Sequence, residues 1–398
     1  MTMNLLFSIT AYPPSIGGAQ IHTHQLAQVL SSQNNIKVFS IWDRNRSDWL
    51  LGTTVFAGNH SADYLIDGIS VHRMGLSKFE KLKSIPSIIG YYAVMKPSID
   101  NLATIIQRQL EPYAEGVEII HNIRVGREPI SFASFNSARK AGIPFVFSPL
   151  HHPRWGGWRH RYYHQLYREA DALIALTSAE KKALVEMGVR DDKIFITGIG
   201  PVLANDGVGM RFREKYSLPV MPIVLFLGQK YPYKGIQLLV KAAELVWAKY
   251  PETLFVLAGP RTRYSIGLFK QILDPRIIEL DSLDIQTKTD ALDACSMLCL
   301  PSSQESFGGV FTEAWQMGKP VIGCRIPAVE TVISEGVDGL LIDCNERDLA
   351  EKINTLLANK KLADQMGKAG KKKVFENFTW KKLAEKTMSA YYYALSVK

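Results

Sequence analysis

The run Pro301-Ser302-Ser303-Gln304-Glu305-Ser306-Phe307-Gly308-Gly309-Val310-Phe311-Thr312-Glu313 concentrates residues able to do chemistry. A helix opening near Gly308 aims its first backbone N–H groups and the positive end of its dipole at the loop before it. That is the chemistry of diphosphate binding. Gly308 and Gly309 let a ligand approach backbone where a side chain would stand in the way. Glu305 precedes the helix and Glu313 lies about one and a half turns inside it. The two carboxylates therefore suit two parts of one extended ligand. The same residues also read as a plain loop followed by a surface glutamate.

Phe226-Leu227-Gly228-Gln229-Lys230-Tyr231-Pro232-Tyr233-Lys234-Gly235 places two lysines in a loop of the same kind. Lys230 and Lys234 together would neutralise a diphosphate; the alternative is a pair of solvated loop lysines. Pro13-Pro14-Ser15-Ile16-Gly17-Gly18-Ala19 is a further phosphate-friendly loop, but it matches neither GxGxxG nor GxxxxGK[ST]. Dinucleotide and P-loop readings both weaken accordingly. Ser148-Pro149-Leu150-His151-His152-Pro153 follows a strand end, where adjacent imidazoles serve as ligands or proton carriers, or as one structural and one exposed histidine.

Two stretches suggest surfaces. Between Arg139 and Arg168 stand six basic residues and no acids, interleaved with Trp155, Trp158, Tyr162, Tyr163 and Tyr167. Such a pattern suits nucleic acid or an anionic membrane, and no RNA-binding motif accompanies it, so no nucleic-acid partner is expected. Phe79 to Met95, lysine-bearing and then apolar and aromatic, suits either interfacial insertion or a core helix. No Asp-x-Asp occurs, so a carboxylate clamp for Mg²⁺ or Mn²⁺ is not visible and no metal is expected.

Short apolar runs alternating with longer helical stretches must position these residues, the pattern of βαβ units and parallel sheets. Strands are expected at Asn4 to Thr10, Lys37 to Trp42, Val117 to Asn122, Pro144 to Pro149, Ala172 to Thr177 and Ile194 to Thr197. A lapse into Gly, Pro, Asn and Asp from Gly198 to Pro219 marks a domain boundary. A second series then runs through strands Ile223 to Gly228, Thr253 to Gly259, Arg276 to Leu280, Met297 to Pro301 and Pro320 to Gly323. Chains so built bind ligand outside the strand C-termini, and a cleft between the halves is the expected site.

Composition agrees with this reading. The 398 residues exceed one ordinary core, and 46% hydrophobic with 21% charged residues excludes disorder, collagen and coiled coil. A net charge of +9 favours acidic partners. Cys295, Cys299, Cys324 and Cys344 show no zinc-like spacing, so reduced thiols and a cytoplasmic location are expected. No stretch reaches the roughly 20 apolar residues of a membrane span.

Taken in order, Gly17-Gly18, the histidine pair, the Gly-x-Lys…Lys-Gly loop and the Glu-x7-Glu run resemble the family 4 retaining glycosyltransferases of the GT-B architecture. The likeness is tightest from Val224 to Leu341 and loosest from Arg44 to Glu115. It implies an α/β fold of two Rossmann-like parallel-sheet domains facing across a cleft. Residues 1–199, rejoined by a final helix 379–398, would form the acceptor side, and 200–378 the donor domain.

The resemblance further implies that Glu305 holds the donor sugar, Glu313 the ribose, and the N–H groups of Phe307, Gly308, Gly309 and Val310 the diphosphate. Lys230 and Lys234 would neutralise the leaving group, with Gly259 and Leu280 near the base. Gly17 and Gly18 would approach from the other domain, and His151 or His152 would touch the sugar. Two departures stand out: Gln229 replaces the family's usual arginine, and Ser148-Pro149-Leu150-His151-His152 replaces Thr-x-His.

The expected reaction is retaining transfer of a hexose, with UDP-glucose the expected donor and a saccharide or lipid-linked saccharide the acceptor. Polysaccharide or glycolipid synthesis is the expected setting, by front-face attack and without metal or other cofactor. Peripheral contact with the inner face of an anionic cytoplasmic membrane is a further expectation. An epimerase or hydrolase acting on UDP-sugars, or a nucleotide-sugar-binding module without activity, is the alternative.

Overall fold

The computed structural model describes residues 2–15, 17–42, 49–124, 129–151 and 157–398. The chain divides into two compact units, Met1–Thr197 with Trp380–Lys398, and Gly198–Thr379.

The first unit opens with β1 (Asn4–Ile9), α1 (Gly18–Leu30), β2 (Asn35–Ser40), α2 (Trp49–Gly52), β3 (Ala62–Ile66) and β4 (Ile69–Arg73). It continues with α3 (Lys78–Ile89), α4 (Met95–Leu110), β5 (Ile119–Ile123), α5 (Ile130–Ala141) and β6 (Phe145–Ser148). Then come α6 (Tyr163–Glu169), β7 (Ala172–Ala175), α7 (Ser178–Glu186) and β8 (Ile194–Ile196). Its eight strands lie in the order β3-β4-β2-β1-β5-β6-β7-β8. All neighbours are parallel except β3 and β4, an antiparallel hairpin turned by Asp67-Gly68. Both turn residues have positive φ (47° and 81°), as a two-residue hairpin with the sheet's twist requires.

The second unit holds α8 (Gly209–Lys215), β9 (Ile223–Leu227), α9 (Ile236–Trp247), β10 (Leu254–Ala258), α10 (Arg263–Phe269) and β11 (Ile277–Leu280). After these come α11 (Ile285–Ala294), β12 (Met297–Leu300), α12 (Gly309–Gln316), β13 (Val321–Cys324), α13 (Pro327–Glu330) and β14 (Gly339–Ile342). Helices α14 (Glu346–Ala358) and α15 (Lys360–Asn377) complete it, and α16 (Trp380–Ser396) returns to the first unit. Its six strands are ordered β11-β10-β9-β12-β13-β14 and are parallel throughout.

Every residue of β9, β10, β12, β13 and β14 is buried. That is why these strands read as unbroken apolar runs: helices cover both sheet faces. In the first sheet successive side chains split between two cores. Leu6, Phe39, Phe145 and Phe147 face the α4 and α5 side, while Leu5, Phe7, Val38 and Val146 face the side that includes Leu26 of α1 and Tyr391 of α16.

Cys324 and Cys344 are joined in a disulfide with Cα atoms 5.3 Å apart. This corrects the expectation of four reduced thiols: parallel pairing of β13 with β14 brings both strand ends together. Cys295 and Cys299 are free and buried.

Candidate active site

In the second unit the functional loops leave the C-terminal ends of β9, β10, β11 and β12. Helix α12 starts at Gly308, which adopts φ 86° as N-cap; a Cβ there would lie 2.5 Å from the Phe311 ring. No side chain caps this helix, and its first turn contains no acid. The leading N–H groups, those of Gly309 and Val310 among them, therefore have no carbonyl of the preceding helical turn to bond. The helix is fixed from behind by Trp315, fully buried, whose indole donates to the Asp338 carbonyl at 2.7 Å. Phe307 is itself a core residue, edge-on to Phe378 at 5.4 Å, so only its backbone is available to a ligand.

Lys234 donates from Nζ to Glu305 Oε1 at 2.5 Å, with both side chains largely buried. Gly235, the next residue, has φ 75°, and a Cβ there would lie 2.0 Å from the Pro301 carbonyl oxygen. This close passage draws the β9 loop onto the β12 loop and so brings lysine to glutamate.

Glu313, on α12, accepts from Lys288 Nζ of α11 at 2.6 Å through Oε1. Its Oε2 is buried without a hydrogen-bond partner, as are Ser302 Oγ and Gln304 Oε1 in the loop before α12. Buried acceptors left unmade are costly, and a ligand's hydroxyl groups would satisfy them.

Lys230 makes contacts of its own, apart from Lys234. Its side chain is fully buried, with Nζ donating to Glu279 Oε1 at 2.8 Å and to the Leu280 carbonyl at 2.6 Å. Arg261 shares the same carboxylate at 3.1 Å. Burial lowers the Lys230 pKa, and Glu279 works against that fall. Instead of two lysines presented together, the structure holds two separate ion pairs, with Lys230 bracing the end of β11. Gly259 lies against this brace, since a Cβ there would meet the Gly228 carbonyl oxygen at 2.0 Å, and its N–H points to the carbonyls of Leu280 and Asp281.

In the first unit, Gly17 and Gly18 open α1, which also lacks a side-chain cap and an acid in its first turn. The Gln20 carboxamide lies against Gly17, while space beside Gly18 is open. His151 is buried. Its N–H donates to Glu180 Oε1 at 2.5 Å, and its Nδ1 lies 3.4 Å from the Tyr167 hydroxyl. Arg124, fully buried, donates to that hydroxyl and stacks 3.7 Å over the Tyr163 ring, with His160 Nδ1 3.0 Å from Nη2. Burial pushes the Glu180 carboxyl up to about 7, against the N–H groups of Leu176 and His151, which lower it. His152 lies outside the described residues, as do Arg154 and Trp155.

Sequence reasoning missed Lys288, Glu279, Arg124 and Glu180, and placed Tyr163 and Tyr167 on a surface stretch although both are buried. Each acts by closing a pair with a residue distant in the chain, and none sits in a recognisable motif.

Two parallel-sheet α/β units in tandem, each with an uncapped helix start after a strand, define the GT-B class. Solved structures of that fold match nearly the whole chain. The Anabaena protein HepE, solved in complex with UDP and glucose, matches at a TM-score of 0.75 and 18% identity over 97% of this chain and 98% of its own. Sucrose-phosphate synthase from Thermosynechococcus elongatus matches at 0.76 and 18% over all of both chains.

The chain belongs to the family 4-like glycosyltransferases. The "Glycosyl transferase 4-like domain" matches residues 17–200 and "Glycosyl transferases group 1" matches residues 211–373. Among curated relatives, D-inositol 3-phosphate glycosyltransferase of Corynebacterium efficiens is 31% identical over 245 residues, 57% of either protein. The alignment thus spans a little over half the length of that relative.

Proposed function

We propose that this protein transfers a hexose from a nucleoside-diphosphate sugar, UDP-glucose being the donor favoured, to a saccharide or lipid-linked saccharide with retention at the anomeric carbon. The observation that carries this reading is Glu313, whose buried Oε2 lacks a partner one and a half turns inside an uncapped helix. An acceptor there suits a ribose diol while the helix start receives the diphosphate. The UDP and glucose of the HepE complex support the same donor class, and the relatives' name supports glycosyl transfer.

The chemistry assigned to the chain is stabilisation of a departing diphosphate. Breaking the bond between anomeric carbon and phosphate oxygen sends its electron pair to the diphosphate. The acceptor hydroxyl oxygen bonds the same face of the carbon, and its proton passes to the departing phosphate. Amides of Gly309 and Val310 with the Lys234 ammonium favour that charge, placed before it forms. Glu305, held by Lys234, receives the sugar hydroxyls. Lys230 keeps the base-side loop in place rather than touching phosphate. No step in this scheme calls on a metal.

A thermal-shift panel of nucleoside diphosphates and their sugars tests the donor class. A ligand at a hundredfold its Kd adds about 2.7 kcal/mol to the folded state. We expect UDP and UDP-glucose to raise the melting temperature, and a panel without any shift contradicts the reading. Donor incubated alone and followed by NMR then separates the enzymes: slow hydrolysis fits a transferase lacking its acceptor, whereas a new epimer means an isomerase.

A further inference from the structure

Helix α3 is inside out. Its buried residues are Ser84 and Ser87, while Phe79 (64% exposed), Leu82 (64%), Ile85 (37%) and Ile89 (81%) face solvent. Positions 79, 82, 86 and 89 have the three-and-four spacing of one helix face, completed by exposed Pro86. A surface helix normally buries its large apolar residues and exposes its serines, so this face is made for something other than water.

Basic residues outnumber acids around the face: α3 carries Lys78, Lys81 and Lys83 against Glu80. Glu80, the only acid of α3, is turned back to accept from the Ser77 N–H at 2.8 Å and its hydroxyl at 2.7 Å. Lys81 is likewise spent, donating to the Ala57 carbonyl and to Asn59. Lys78 and Lys83 remain, the latter 4.3 Å over the Phe79 ring.

The surface continues past the helix. Tyr92 stacks on Trp158 at 6.2 Å; Trp158 is 56% exposed, and Arg159 lies 5.3 Å over the Tyr92 ring. Arg161 stacks on Trp158 and Tyr162 at 4.1 and 4.7 Å. Two sequence stretches that read separately, 79–95 and 139–168, thus meet at one pair of rings.

We infer that this surface lies on an anionic lipid bilayer, α3 flat in the interface with its apolar face among the acyl chains and the basic residues at headgroup level. Apolar side chains, flanking ammonium and guanidinium groups, and amphipathic Trp and Tyr at the margin are the combination that interface selects. The net positive charge around the apolar face matches an anionic surface. At 12 residues α3 is too short to span a bilayer, and no helix among the described residues is long and apolar enough to cross one. The inference is independent of the donor-site reading and is tested without any nucleotide.

The test is co-sedimentation of the full chain with vesicles of phosphatidylcholine alone or mixed with phosphatidylglycerol, at low and high salt. We expect pelleting with the mixed vesicles only, weakening as salt rises. Leu82→Ser with Ile89→Ser should lower partitioning roughly tenfold. Lys83→Glu and Arg161→Glu should each lower it about fivefold or more. Leu82, Lys83 and Ile89 are exposed, so melting temperatures of their variants should stay at the wild-type value, while Arg161→Glu, which also breaks a hydrogen bond to the Trp158 carbonyl, is compared at equal folded fraction. Equal pelleting with neutral and mixed vesicles, or none with either, overturns the inference. So does a dimer in sedimentation velocity that Leu82→Ser with Ile89→Ser splits, which would assign the face to a second copy of the chain.

Discussion

At the strand ends of the second unit, three lysines meet three glutamates: Lys234 with Glu305, Lys288 with Glu313, and Lys230 with Glu279. At the strand ends of the first unit the groups are mostly rings. His151, Tyr167, His160 and Tyr163 surround Arg124, and deeper in the sheet His121 bridges Tyr391 and Ser148 at 2.7 and 2.8 Å. The Lys234 and Lys288 pairs, which keep some exposure, can exchange partners when a charged ligand arrives, whereas the Lys230 side chain is fully buried. A buried ring network closed on one guanidinium fixes geometry. The contrast separates a unit built to receive an anion from one built to hold an orientation.

Substitutions at the ion pairs should hurt turnover most. Glu305→Gln should reduce transfer on the order of a hundredfold or more while leaving UDP affinity nearly intact, checked by steady-state kinetics beside calorimetry. Parallel loss of both would move Glu305 out of the sugar subsite. Lys234→Ala should cost roughly 2–4 kcal/mol of transition-state stabilisation. A fall in turnover under threefold would refute its role at the leaving group.

The ring network should show itself in pH dependence. Burial lowers His22 to about 4 and His121 to about 3 from an ordinary 6.5, so the unfolded chain takes up protons that the folded one refuses. Their contribution is complete above pH 6.5 and is lost as pH falls to about 4 for His22 and about 3 for His121; for His22 it amounts to about 3 kcal/mol. Glu180, raised to about 7, works in the opposite direction, because the folded form keeps a proton that the unfolded chain releases above 4.5. Glu180→Gln should therefore steepen the gain in stability between pH 4 and 7, followed by denaturant titration. An unchanged slope would place Glu180 in contact with water. Smaller still, Tyr167→Phe leaves an Arg124 N–H without its acceptor and should cost about 1–3 kcal/mol in the same assay.

The comparison also explains what the sequence disclosed. Buried strands such as Ile223–Leu227 and Met297–Leu300 are continuous apolar runs, and the Glu305 to Glu313 run lies in one local loop and helix, so both were legible. The β3–β4 hairpin was not read, although Asp67-Gly68 is a strong turn signal; its strands are short and β3 is an edge strand. The spacing of Lys230 suited a phosphate ligand but gave no sign of its ion pair. Only the pairing of β10 with β11 brings Glu279 within its reach. The Arg124 network joins residues up to 56 apart in sequence, from 124 to 180, and single-sequence patterns carry no record of such contacts.

The most direct test of the account is calorimetric titration of UDP into the whole chain, wild type against Glu313→Ala. If the unpartnered carboxylate oxygen receives the ribose, affinity should fall about tenfold to a hundredfold, as expected for lost hydrogen bonds to a charged group. Equal affinity in the two proteins would contradict the placement of the nucleotide at α12.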